Sequence, residues 1–324
     1  MKKRNGVLMI EKIYLEINGV KQGLIVERNM NKNAPVLLFV HGTAPILPFI
    51  WKRQVKFNQD FHTCYWDQRW VGMSCSLPDE AAFNIEILTA DVLKVTEQLR
   101  YMFNQDKIYV LGHSTGSYIA SLAVQEKPEY YYAYIGVGQI NCMRNSEKEK
   151  YQAILKEACR RNDKIALRRF EKLDLPDNFF DTYKINKESM PYGSASMKYT
   201  EKYGFGVTRE GYQNSKLLKA VFLFPYYTVN EKICFFKGMF QASEKLISQI
   251  LDTPLQEVVR NIEIPIHIIH GELDCSTSYK EAKRFFHSVD ANEKNFYTFS
   301  HSAHMPFIDE PDKFMEVLSK VKCF

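Results

Sequence analysis

The stretch "VLGHSTGSYIA", Val110 to Ala120, holds one serine, Ser114, between Gly112 and Gly116. It follows the apolar run "KIYVLG" (107–112), which reads as a buried strand. It opens "STGSYIASLAVQEKP", which reads as a helix stopped near Pro128. A serine at such a strand–turn–helix junction is held in a strained backbone conformation, and small neighbours let the chains pass closely. The hydroxyl then projects above the strand ends. At about 7% each for glycine and serine, G-x-S-x-G arises by chance in a chain this long at odds of roughly one in ten. The pattern therefore draws its weight from the strand before it and the helix after it.

A serine hydroxyl is a poor nucleophile at neutral pH. It needs a base to take its proton, and the base needs a group that fixes its tautomer. "IPIHIIHGELD" is an apolar strand with Asp274 just beyond its end, and "FSHSAHMPFIDEP" puts His304 just after the last strand. Asp252 and Asp290 fit the acid position less well. His301 competes with His304, but His304 stands directly before "MPFIDEP", which leads into the final helix. Serine, aspartate and histidine, each after a separate strand, follow the order of the α/β-hydrolase triad. Loops at the carboxyl ends of parallel strands can meet in space. The oxyanion of an acyl-transfer intermediate needs N–H donors, and "LLFVHGTAP" offers the backbone of Thr43, with that of Thr115 beside the nucleophile. His41 and Gly42 order that loop, His41 by hydrogen bonds. His113 is read as packing rather than as the base.

Outward from these motifs, strand and helix signals alternate. "VLMIEKIYLEI" and "KQGLIVER" flank Asn18-Gly19, a hairpin signal. "PVLLFV" (35–40), "FHTCYW" (61–66) and "YYAYIGVG" (131–138) read as strands. From Ile85 to Met102 apolar residues recur at helical spacing. Residues 141–254 change texture: charged, aromatic and helical in pattern. After Pro254 the alternation resumes through "YKEAKRFFHS", "KNFYTFS" and "PDKFMEVLSKV". The expectation is an α/β fold with a mostly parallel central sheet flanked by helices. Residues 1–140 and 255–324 form its core, and 141–254 an inserted helical lid.

The segments "HGTAP", "WDQRWVGMS", "GHSTG", "GELD" and "SAHMPF" resemble, in order and spacing, the motifs of α/β-hydrolases of the proline iminopeptidase group. That group shows H-G-G-P-G, D-Q-R-G-x-G-x-S, G-x-S-x-G, G-x-x-D and G-H. The resemblance covers roughly residues 10–140 and 255–324. It implies a serine hydrolase with Ser114, Asp274 and His304 as the triad and a short peptide as substrate. Thr43-Ala44-Pro45 replaces the group's Gly-Pro-Gly, and Trp70 stands where the group has glycine. The lid lacks the group's Trp-x-x-Trp-Glu, since the chain's tryptophans are Trp51, Trp66 and Trp70. Four lid carboxylates, Glu188, Glu201, Glu210 and Glu231, compete to bind a substrate amine. Asp67 and Arg69 are read as an internal ion pair bracing the loop after the fourth strand. Phe179, Phe180, Tyr192, Tyr199 and Phe205 are read mainly as lid core.

Bulk properties limit the alternatives. The chain has 324 residues with 43 basic and 38 acidic side chains, and no basic tract beyond "MKKR", so no nucleic-acid partner is implied. No apolar run approaches the roughly 20 residues of a membrane span. The apolar run after "MKKR" is too short for a secretory leader. Seven scattered cysteines without C-x-x-C read as a reduced, cytoplasmic chain. His267 and His270 lie three apart on a strand and face opposite sides, which argues against a shared metal, and no other cluster has ligand spacing; no cofactor is implied. The function expected is acyl transfer to water on small peptide, amide or ester substrates, first of all an aminopeptidase of the iminopeptidase type. A carboxylesterase, an acyltransferase of this fold and a ligand-binding homologue without turnover remain as alternatives.

Overall fold

The computed structural model describes residues 10–43, 56–75, 83–210 and 214–322, with backbone alone for 214–217 and 240–243. The hairpin's first residues, Val7 to Met9, fall outside that range, as do Ala44, Pro45 and Trp51.

A hairpin of β1 (Ile10–Ile17) and β2 (Val20–Glu27) opens the fold. Asn18 and Gly19 turn it with φ of 48° and 74°, the left-handed pair that a two-residue hairpin loop requires. β3 (Val36–Val40) and β4 (His62–Trp66) follow, then α1 (Ile85–Phe103), β5 (Ile108–His113), α2 (Thr115–Glu126) and β6 (Tyr131–Val137). Asn84 caps α1 by accepting from Ile87 N–H, and Leu88, Val92, Val95 and Leu99 form its buried stripe. Five helices then run without an intervening strand: α3 (Met143–Arg160), α4 (Lys164–Glu171), α5 (Met190–Tyr203), α6 (Asn214–Phe222) and α7 (Val229–Ile250). A short α8 (Leu255–Val258) precedes the return to alternation. The last elements are β7 (Asn261–Ile262), β8 (Ile266–Gly271), α9 (Tyr279–Ser288), β9 (Asp290–Ala291), β10 (Lys294–Phe299), α10 (Pro306–Asp309) and α11 (Pro311–Val321).

Eight strands form one sheet in the order β1-β2-β4-β3-β5-β6-β8-β10. The β1–β2 and β2–β4 pairs are antiparallel and the rest parallel. β3, β4, β5 and β8 are buried at every position, as expected of strands covered on both faces. One apolar cluster lies on the α1–α2 side of the sheet and continues into the inserted helices. The other lies beneath α11 and includes Phe39, Phe57, Phe307 and Phe314. Tyr192 sits at the centre of an aromatic nest with Phe179, Phe180 and Tyr183.

Two expectations from sequence are corrected. The chain is not wholly reduced: Cys75 and Cys234 form a disulfide, with Cα atoms 5.8 Å apart and 159 residues between them in sequence. Cys64, Cys142, Cys159 and Cys275 stay unbridged. Only the fold of the insertion back over the β4 loop brings the pair together, which no local spacing could announce. Asp67 and Arg69 also do not pair. The Arg69 guanidinium reaches Asp91 on α1, with Nη2 donating to Oδ1 at 2.9 Å. Asp67 instead accepts from Met73 N–H at 2.8 Å and from the Tyr227 hydroxyl at 2.6 and 2.8 Å.

Candidate active site

Ser114 stands between the end of β5 and the start of α2 with φ of 56° and ψ of −126°. Left-handed φ at a non-glycine residue is strained and persists only where surroundings enforce it. Here Ser114 N–H donates to Val137 O at 3.0 Å, and Ser114 O accepts from Ser117 N–H at 2.8 Å and from Ser117 Oγ–H at 2.6 Å. Ser117 Oγ in turn accepts from Ile140 N–H at 3.0 Å, tying the elbow to the segment beyond β6. Gly112 and Gly116 allow the crossing: a Cβ on Gly116 would lie 2.1 Å from Val40 O, and one on Gly112 would lie 2.5 Å from Gly116 O.

Gly42, just after β3, faces Ser114. A Cβ there would lie 2.7 Å from Ser114 Cβ and 3.2 Å from its Oγ. The Gly42–Thr43 backbone is thus laid beside Ser114. Thr115 is the first residue of α2, where backbone N–H groups have no partner within the helix. His41 orders this region: its Nδ1 lies 2.6 Å from Gly42 O, and its Nε2 accepts from Gln68 N–H at 3.2 Å. Gln68 Nε2 returns a bond to His41 O at 2.6 Å. Burial pushes the His41 imidazole down to about 4, against the Gly42 hydrogen bond. It is neutral and structural at pH 7.

Asp274 follows β8 and His304 follows β10. His304 Nδ1 lies 2.8 Å from Asp274 Oδ2. Burial alone would raise the Asp274 carboxyl. The nearby His304 and His270 rings and the Thr277 N–H outweigh it and hold the acid at about 2. A carboxylate can only accept, so Nδ1 carries the proton of this hydrogen bond and Nε2 is the ring nitrogen left away from the acid. Thr277 supports the acid through its N–H to Oδ1 at 2.9 Å and its hydroxyl to Oδ2 at 2.8 Å. The His304 ring lies against Gly138, directly after the Val137 that holds Ser114. His113, beside Ser114, packs its ring 4.7 Å from that of His304. Burial, then the neighbouring His304, pushes His113 down to about 3, so it packs and does not titrate near neutrality. Among the described residues no hydrogen bond joins Ser114 Oγ to His304. Such bonds commonly tighten only with substrate.

His301 is exposed, and its backbone N–H donates to Glu310 Oε2 at 3.0 Å. His267 stacks on Tyr297. His270 Nδ1 accepts from Gln139 N–H at 3.1 Å behind the acid. No group of three metal-ligating side chains occurs among the described residues. Sequence reasoning missed Thr277, Tyr227 and Asp91, and weighed His270 only against a metal site. Asp91 alone left a signal, a carboxylate within the buried stripe of α1.

Of the four carboxylates that compete for a substrate amine, Glu231 accepts from Lys12 Nζ and the Tyr14 hydroxyl. Glu201 accepts from Val207 N–H at 2.9 Å. Glu188 and Glu210 are exposed.

Residues 35–311 match a family model described as the alpha/beta hydrolase fold. A Bacillus subtilis (strain 168) protein described as a probable aminopeptidase, YbaC, is 27% identical over 316 residues, covering 94% of each chain. A solved proline iminopeptidase from Mycobacterium smegmatis is 14% identical with a TM-score of 0.67, covering 96% of this chain and 97% of that one. An esterase from Exiguobacterium antarcticum is 16% identical with a TM-score of 0.60, covering 96% and 100%. An epoxide hydrolase mutant from Bacillus megaterium is 17% identical with a TM-score of 0.56, covering 95% and 99%. At such identities the solved structures speak for the fold alone.

Proposed function

The chain belongs to the α/β-hydrolase family, and from that premise we propose that it is a serine hydrolase working through an acyl-enzyme on Ser114. The observation that carries this is the 2.8 Å His304 Nδ1–Asp274 contact beside a serine at φ 56°. In this reading His304 Nε2 takes the Ser114 proton as Oγ attacks the substrate carbonyl. The N–H groups of Thr43 and Thr115 receive the oxyanion. His304 then passes its proton to the leaving group, and a water activated by the same nitrogen releases the acid. Asp274 holds the ring and stabilises the imidazolium. Residues 141–254 act as the lid over this site.

The substrate proposed is the N-terminal residue of a small peptide. The 27% identity to a protein described as a probable aminopeptidase supports it across 94% of the chain. An ester substrate is the second reading. It is favoured by the lid carboxylates, since Glu201 and Glu231 are engaged within the protein and Glu188 and Glu210 face solvent. Aminoacyl amides with a free and with a blocked amine separate the two. The aminopeptidase cleaves only the free form, and equal rates on both, or cleavage of esters alone, overturn it in favour of the esterase.

The four cysteines left unbridged among the described residues favour a reducing cytoplasm, and the Cys75–Cys234 bond speaks against it. No helix among the described residues is long and apolar enough to cross a membrane.

A further inference from the structure

One segment of the insertion, Gly204 to Arg209, crosses the loops that carry the acid and the base. Phe205 O accepts from the N–H of Cys275, the residue after Asp274, at 3.0 Å. Gly206 O accepts from His304 N–H at 3.2 Å. Three residues on, Arg209 N–H donates to Asp309 Oδ1 at 3.0 Å. The other oxygen of that carboxylate accepts from Ala303 N–H, next to His304, at 2.8 Å. The segment is also shaped from within. Gly204 ends α5 with φ of 74°, Glu201 Oε1 accepts from Val207 N–H at 2.9 Å, and Arg209 Nη1 donates to Gly204 O at 2.7 Å.

These contacts share one consequence. The Asp274 and His304 loops follow neighbouring strands, and among the described residues their backbones bond to each other only at their starts, where Glu272 N–H donates to Phe299 O at 2.9 Å and Leu273 N–H to Ser302 O at 3.1 Å. The crossing segment bonds to both, and Asp309 bonds to the segment and to the His304 loop together. We propose, resting on the serine-hydrolase reading above, that the 204–209 strap is a fixed part of the site and that Asp309 is a positioning residue for His304. The strap sets the depth at which Nδ1 meets Asp274. It does not lift away with substrate entry. Asp309 touches no reacting atom and acts only through the Ala303 amide and the strap.

The sensitivity expected is large, because a displacement of about 1 Å in a catalytic group can cost roughly 100-fold in rate. Asp309→Asn keeps the size but turns an amide NH2 toward one of two N–H donors. Glu201→Ala frees the strap at its other end, whereas Glu201→Gln keeps an acceptor for Val207 N–H. Two quantities are read on folded protein: hydrogen exchange at the Cys275 and His304 amides, and the rate of fluorophosphonate labelling of Ser114. The strap predicts exchange at least tenfold faster and labelling about tenfold or more slower in both Asp309→Asn and Glu201→Ala. Glu201→Gln stays near wild type on both. Faster exchange with unchanged labelling makes the strap merely structural and overturns the proposal. So does unchanged exchange in the two disruptive variants. A wild type that exchanges slowly but takes no label sinks the serine reading instead, and the exchange data then decide whether the strap holds the two loops.

Discussion

At the scale of the residue, environment decides which groups can do chemistry. His41, His113 and His304 all lie near Ser114, but the first two are pushed down to about 4 and about 3 by burial. Only His304 has a carboxylate at Nδ1. Asp274→Asn should leave the fold intact and lower turnover by about ten-thousand-fold, since the amide favours the wrong tautomer. Steady-state rates near wild type would remove Asp274 from the proposed triad. Asp67 behaves oppositely to Asp274. Burial raises its carboxyl to about 7, against the Met73 N–H and the Tyr227 hydroxyl. The folded state therefore keeps a proton that the unfolded chain has released, between about pH 4 and 7. That stabilisation is complete below about pH 4 and is lost as pH rises through 7. Against Asp67→Asn, which cannot titrate, the wild type should lose up to about 4 kcal/mol of relative stability between pH 4 and 8. Denaturant unfolding of both proteins at the two pH values checks it, and a flat or rising difference refutes the shift.

At the scale of the element, local signals were legible and long-range pairings were not. Helix α9 coincides with "YKEAKRFFHS" residue for residue because Ser278 caps it, accepting from Lys280 and Glu281 N–H. The continuous apolar run of β3 announced a strand covered on both faces. The tight turn at Ser114 was legible because a strand, a serine and a helix are contiguous. Trp70 shows why its position suits glycine: the turn demands φ of 69°. The tryptophan there is retained by stacking on Phe83, with ring centroids 4.6 Å apart. By contrast, the partners of Asp67, Arg69 and Cys75 lie 160, 22 and 159 residues away. No periodicity encodes them. The disulfide closes a long loop between the β4 turn and α7, so its chain-entropy contribution is large, up to about 5 kcal/mol. Reductant should lower the unfolding temperature of the wild type and leave Cys75→Ser unmoved. Equal melting with and without reductant, or seven titratable thiols in the untreated protein, would contradict the bond.

At the scale of the whole molecule, the sheet brings three distant segments to one edge. The loops after β5, β8 and β10 carry Ser114, Asp274 and His304, and the end of β3 lays Gly42 against the serine. Chain order and strand ends made this convergence readable from sequence. The insertion was readable as helical but not in how it docks. It meets the core through the 204–209 segment, the Tyr227–Asp67 hydrogen bonds and the Cys75–Cys234 bond. Each of those contacts joins surfaces that only the finished fold creates. The central claim is that Ser114 is an activated nucleophile within this assembly. The most direct measurement is fluorophosphonate labelling of the folded protein beside Ser114→Ala, with the modified peptide identified by mass spectrometry. Labelling on Ser114 that disappears in the variant is the predicted result. Folded wild type that takes no label, or a variant that labels as fast, would contradict it.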